Sequence, residues 1–317
     1  MPGKRMMTLS ARLGSYALRL IFRVLPSPSK RLLSSGADII ATTLWVPTRH
    51  ANVRCLIYQR RQPKAGGLPP VYISIHGGAF IVRAPAKDED MCRFIASTTD
   101  AVVISVDYDT APGAVYPVAE HEVYDVFQWV HRNGRRYGWD GRRLAVGGFS
   151  AGAKLAINVY QQARDAGTAV PIALVACYPA LDMTLTPASR RSALRHPAVG
   201  AWLIRLMYAT YFVDQAKRGQ ALASPALDHH LSGYPPTLLL IGGLDSLADE
   251  AEQFADKLAF AGVRVSRHYF AQSDHGFTHN APAAVANSAA ELIRSHLDQA
   301  FSNLESTIGK LVTGDPN

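Results

Sequence analysis

Three cysteines in 317 residues, Cys55, Cys92 and Cys177, are an odd and widely spaced set. They offer neither a disulfide framework nor a zinc-ligand spacing, so reduced thiols in a cytoplasmic compartment are the simplest expectation. Also missing is an uninterrupted apolar run of roughly 20 residues, the length a spanning helix needs. No small-residue cleavage site follows a clean apolar stretch. Internal repeats and low-complexity tracts are absent, and a hydrophobic content of 48% excludes disordered and fibrous classes. Acidic residues do not occur before Asp38, whereas Lys4, Arg5, Arg12, Arg19, Arg23, Lys30 and Arg31 do, so most of the net charge of +8 sits at one end. After that segment no Lys/Arg patch interleaved with aromatics recurs, which argues against a nucleic-acid partner.

Within the basic segment, Leu9, Leu13, Ala17, Leu20, Ile21 and Val24 are spaced for one helical face. A basic amphipathic helix has three competing fates: packing on the rest of the protein, attachment to an anionic membrane surface, or targeting. Beyond Asp38 the chain alternates strands with helices. Apolar runs at Val71 to Ile75, Ala101 to Val106, Leu144 to Val146, Ile172 to Cys177 and Thr237 to Ile241 suit parallel strands covered on both faces. Val263 to Tyr269 alternates like a strand nearer an edge. Helical patterns cover Val118 to Arg136, Ala151 to Ala163, Ala248 to Ala261 and Pro282 to Phe301, and the alternation predicts a doubly wound, mostly parallel α/β sheet. One mostly apolar helix, His196 to Phe212, interrupts the pattern. With the N-terminal helix it is expected to form a lid over a pocket; an ordinary covering helix is the alternative.

Gly148-Phe149-Ser150-Ala151-Gly152 matches G-x-S-x-G and falls between an apolar strand and a helix, the context that makes the motif specific. Two phosphate-binding readings fail here. Ala153 stands where a P-loop needs Lys, with Lys154 one residue late, and the glycine spacing misses G-x-G-x-x-G. No cofactor or metal is implied. His76-Gly77-Gly78-Ala79-Phe80 follows the Val71 to Ile75 strand directly, and backbone N–H groups of small residues can reach an oxyanion unobstructed. Gly77, Gly78 and Ala151 are the expected donors. A serine needs a base, and the base needs an orienting carboxylate. Asp245 ends the Thr237 to Ile241 strand, and His275 follows the Val263 to Tyr269 strand. Loops at the carboxyl edge of a parallel sheet share one crevice, so Ser150, Asp245 and His275 can converge. Asp274 and His279 are the nearest competitors; Asp249 and Glu250 are expected to cap the following helix.

At these residues the chain resembles the hormone-sensitive-lipase-like carboxylesterases of the α/β-hydrolase fold, from about Val53 to Phe277. The similarity is carried by His76-Gly77-Gly78, Asp107-Tyr108 with Ala111-Pro112 and Tyr116-Pro117, the Ser150 pentapeptide, Ser224-Pro225, Asp245 to Glu250, and His275-Gly276-Phe277. It implies one α/β-hydrolase domain over residues 1–317 with a sheet of about eight strands. It also implies a catalytic triad of Ser150, Asp245 and His275, and cap elements near residues 1–45 and 185–220. Departures are Ala79 in place of a third glycine, Asp109-Thr110 in place of Arg-Leu, and Gly113 in place of Glu. The expected activity is hydrolysis of short- to medium-chain carboxylic esters, with Ala79, Phe80, Trp202, Tyr208 and Tyr211 lining the substrate pocket. A lipase acting at a membrane surface and a non-catalytic ligand receptor are the alternatives. A small-molecule ester is the expected partner; membrane contact through the basic helix and a homodimer both stay open.

Overall fold

A computed structural model describes residues 7–24, 38–62, 67–280 and 282–313. Lys4, Arg5, Lys30 and Arg31, and the corresponding parts of the expected cap segment 1–45, lie outside the described residues. The strands are β1 (Ile39–Pro47), β2 (Asn52–Arg60), β3 (Val71–Ile75), β4 (Val102–Asp107), β5 (Leu144–Phe149), β6 (Ala173–Cys177), β7 (Thr237–Gly242) and β8 (Val265–Phe270). They form one eight-stranded sheet in the order β1-β2-β4-β3-β5-β6-β7-β8. β2 runs antiparallel to both neighbours, and every pairing from β4 to β8 is parallel. Strands β3 to β7 are buried along their whole length, as their unbroken apolar runs require.

The helices are α1 (Leu9–Val24), α2 (Glu89–Thr99), α3 (Val118–Asn133), α4 (Ala151–Asp165), α5 (Ala201–Thr210), α6 (Ala248–Phe260), α7 (Phe277–Asn280) and α8 (Ala283–Thr313). One sheet face packs against α3, α4 and α6, the other against α2 and α8, giving two hydrophobic cores. None of the helices, among the described residues, is long and apolar enough to cross a membrane. The three cysteines are buried and free.

Strand β2 and helix α2 are not anticipated from the sequence, and two further features differ from its expectation. Residues 39–45, assigned there to the cap, belong to the sheet, because β1 pairs with β2 from Ile39 to Pro47. Its burial is that of an edge strand, mostly solvent-facing, so no continuous apolar run marks it. The cap helix expected over His196 to Phe212 is shorter, Ala201–Thr210, and α1 packs on it closely enough that a methyl group on Gly14 would lie 3.2 Å from Leu206 Cδ1.

The strand order reverses at β3. The chain leaves it for β4 on one side and returns to β5 on the other. The carboxyl ends of β3 and β5 therefore lie side by side, with Ile75 opposite Gly148, and open the crevice in which α/β sheets carry their ligands.

Candidate active site

Ser150 sits at the sharp turn between β5 and α4 with φ 54° and ψ −117°, a conformation that non-glycine residues adopt only when surrounding structure enforces it. Enforcement comes from close backbone approach. A Cβ on Gly152 would lie 2.0 Å from the Ile75 carbonyl oxygen, so only glycine lets α4 start this near β3. The serine side chain is thereby lifted above the sheet at the switch point.

His275 reaches it from the loop after β8. Ser150 Oγ and His275 Nε2 are 2.7 Å apart, and His275 Nδ1 lies 2.7 Å from Asp245 Oδ2. A carboxylate can only accept, so Nδ1 carries the proton and Nε2 is left to accept from the serine hydroxyl. Asp245 is buried, and its second oxygen accepts the Leu247 N–H at 3.0 Å, which holds the carboxylate in the plane it needs. The competitor Asp274 has a different task. It accepts the N–H groups of His275 and of Ala198, both at 2.7 Å. His279, the other competitor, packs edge-on against Phe149 and lies beside Asp88, its Nε2 3.0 Å from the carboxylate.

Gly77, Gly78 and Ala151 face the same cavity as Ser150 and His275. The loop carrying the two glycines is held rather than loose. Ile81 and Val82 N–H groups both donate to the Gly78 carbonyl, at 2.9 and 2.8 Å, and Gly78 has φ 127° with no room for a Cβ, which would fall 2.4 Å from the Val82 carbonyl oxygen. Tyr108 donates to the His76 carbonyl at 2.9 Å while its ring stacks on the His76 imidazole. Ala79 and Phe80 continue the loop at positive φ, and Phe80 stacks on Tyr211 at 4.7 Å.

Behind Phe80 lies a buried ion pair that the sequence did not announce. Lys154, four residues after Ser150, contacts Glu120 with both side chains fully buried, and its ammonium lies about 5.5 Å from the rings of Phe80, Tyr116 and Phe212. Burial pushes the Lys154 pKa below the ordinary lysine value, and the Glu120 carboxylate opposes that shift. Tyr211 completes the group by donating to Glu120 Oε2 at 2.6 Å. Nearby, the Glu122 carboxyl is raised to about 7, first by burial, although it accepts the Asp109 N–H at 2.8 Å.

The loop around Asp109 and Thr110 is braced by two arginines. Arg83 contacts Asp107 at 2.6 Å and Asp109 at 3.0 Å. Arg19 reaches over from α1 to Ile81 O (2.9 Å), Thr110 Oγ1 (2.7 Å) and Ala111 O (2.5 Å), bolting the first helix to this side of the site.

The cavity above Ser150 has a volume of about 370 Å³, within the range of small-molecule sites. Ala79 and Phe80 line it. Trp202, Tyr208 and Tyr211 do not. On α5 the residues that line it are Leu203, Ile204 and Met207, while Tyr211, just past the end of that helix, is buried behind Phe80. Trp202 is 57% exposed, and the buried Tyr208 donates to the Leu185 carbonyl. Leu18 and Phe22 of α1 line the cavity instead; the helical face expected from the sequence omits both, and its Leu9, Leu13, Ala17, Leu20 and Ile21 are exposed. Tyr178 was also missed: it follows β6 directly, as Ser150 follows β5, and its ring packs edge-on to His275 with centroids 4.7 Å apart. Glu250, expected as a helix cap, is buried, accepting the Leu181 N–H at 2.8 Å and pairing with Arg190.

Comparison with known proteins identifies the fold and the family. A family model described as the alpha/beta hydrolase fold matches residues 72–279. The carboxylic ester hydrolase LipN of Mycobacterium tuberculosis is 29% identical over 89% of this chain and 75% of its own length. An ethyl acetate hydrolase of Pseudomonas putida is 30% identical over 68% of this chain and 67% of its own. Among solved structures, an esterase of Pyrobaculum calidifontis superposes with a TM-score of 0.77 at 28% identity, covering 92% of this chain and 91% of that one. With a serine, an imidazole and a carboxylate hydrogen-bonded in sequence at the switch point of the sheet, the chain belongs to the hormone-sensitive-lipase-like carboxylesterases of the α/β-hydrolase fold and is a serine ester hydrolase.

Proposed function

We propose that Ser150 is the nucleophile, His275 the general base and Asp245 the carboxylate that keeps the imidazole in its reactive tautomer. Ser150 Oγ attacks the ester carbonyl as its proton passes to His275 Nε2, and the N–H groups of Gly77, Gly78 and Ala151 hold the oxyanion. Collapse of the tetrahedral intermediate returns the proton to the departing alcohol and leaves an acyl-enzyme. Water, deprotonated by the same imidazole, then attacks the acyl carbonyl, and the acid leaves as Ser150 regains its hydrogen. The observation that carries this reading is the unbroken chain of two 2.7 Å hydrogen bonds opening onto an apolar cavity.

Short- to medium-chain esters fit that cavity best. Its walls are mainly Leu18, Phe22, Val82, Leu203, Ile204 and Met207, and the similarity to an ethyl acetate hydrolase favours small acyl groups. An organophosphonate probe should label Ser150, located by peptide mass spectrometry, and Ser150→Ala should lower turnover by about 10⁵- to 10⁶-fold. Labelling elsewhere, or a variant retaining most activity, would remove Ser150 from the mechanism. In a p-nitrophenyl ester series, rates that keep climbing past about twelve carbons would contradict a cavity of this size.

A second reading, hydrolysis of esters carried in a lipid surface, is favoured by one observation. The helix that supplies Leu18 and Phe22 to the cavity also presents Leu13 and Leu20 to solvent.

A further inference from the structure

α1 has two apolar faces, and the body of the protein covers only one. Ala11, Ser15 and Leu18 are buried at 7, 0 and 5% exposure against α5 and the loop after β3. Leu9, Leu13, Tyr16 and Leu20 remain 73, 60, 51 and 62% exposed. At about 100° per residue these four lie within roughly 60° of one another, on the side of the helix opposite the buried three. A stripe of large apolar side chains facing water over the length of a helix is more than the scattered exposure usual on a monomer.

We infer that this outer face of α1 is a docking surface for an anionic phospholipid bilayer. Charge selects the occupant. Arg12 and Arg23 are exposed alongside the stripe, and no acidic residue occurs before Asp38 to neutralise them. A second copy of the chain fits worse. A helix of sixteen residues is about 24 Å long, so its stripe offers a few hundred Å² where a stable pair needs roughly 800 Å² per partner. Two copies face to face would also set arginine against arginine. Anionic headgroups take the guanidinium groups, and the boundary with the acyl region takes the leucines and Tyr16, which is how amphipathic helices lie in a membrane interface.

The helix docks in place. Arg19 holds it to Ile81, Thr110 and Ala111, so the bilayer gains the whole protein rather than a detached helix. Leu18 and Phe22 on the same helix line the cavity, which sets the cavity beside the lipid surface. The inference rests on the second reading above and names its partner.

The test is co-sedimentation of the full chain with phosphatidylcholine vesicles containing or lacking phosphatidylglycerol. Binding is expected only with phosphatidylglycerol and should fall as salt rises. Leu13→Glu/Leu20→Glu and, separately, Arg12→Glu/Arg23→Glu should each weaken partitioning by roughly tenfold or more while hydrolysis of soluble p-nitrophenyl acetate stays unchanged. Wild-type protein that ignores anionic vesicles, or variants that bind as tightly as wild type, overturn the proposal. So does a dimer in sedimentation equilibrium that the leucine substitutions dissolve, because a second copy would then cover the stripe. Vesicle binding without hydrolysis of lipid esters supports docking while removing lipid esters as substrates, and binding by Ser150→Ala separates docking from the catalytic assignment.

Discussion

The two walls of the cavity are built on opposite plans. The wall formed by the sheet edge is polar at its reacting atoms and locked behind them: glycines at van der Waals limits, residues at positive φ, and a buried ionic group beneath Phe80. The wall formed by α1 and α5 is a set of interchangeable apolar side chains with few hydrogen bonds among them. Chemistry demands placement to a fraction of an ångström, whereas recognition of an acyl chain demands volume. Substitutions should therefore act mainly through stability and turnover on one wall, and through chain-length preference on the other.

The largest effect should come from breaking the Lys154–Glu120 pair. Lys154→Met leaves a carboxylate buried without its cation and should cost about 3–5 kcal/mol in denaturant unfolding, whereas Lys154→Met/Glu120→Leu should restore much of that loss. Equal losses in both would mean that the pair is not a coupled unit. A smaller effect belongs to Glu122, whose carboxyl is raised by burial from an ordinary 4.5 to about 7. A folded-state value above the unfolded one favours the protonated fold, so this contribution is full below the unfolded value and disappears as pH rises through the folded value. Glu122→Gln still accepts from Asp109 and cannot ionise. Relative to it, wild type should lose about 1–3 kcal/mol of unfolding free energy across that window, and parallel stability–pH curves would exclude the assignment. On the cap wall the effects should be smaller still and selective. Met207→Trp should cut rates on longer esters about tenfold while sparing acetate, and Trp202→Ala should leave the whole series within about twofold. A shift of chain-length preference in Trp202→Ala would return that residue to the pocket.

The same contrast explains what could be read from the chain alone. Buried parallel strands announce themselves as unbroken apolar runs; Ser150 and Asp245 follow two of them and His275 follows the alternating strand β8, so all three could be proposed from sequence by position. Strands β1 and β2 and helix α2 lack that signature, and all three went unrecognised. Facing is harder still to read. Trp202, Tyr208 and Tyr211 have the composition of a pocket, yet which way a helix turns depends on a partner elsewhere in the chain, here Glu120 for Tyr211 and Leu185 for Tyr208. Lys154 and Glu120 look like ordinary solvated charges when taken singly. Only their meeting beneath Phe80 makes them a unit.

Asp274 joins the His275 loop to the segment before α5 through a single carboxylate, one oxygen holding the His275 amide and the other the Ala198 amide. It works as a latch with both leaves of a door on one bolt. Breaking the bond to the Ala198 amide would carry a net cost of about 1.5–3 kcal/mol, as for a bond to a charged acceptor. The His275 backbone and the rim of the cavity at Ala198 thus hang from one side chain, and neither can shift without a change at Asp274.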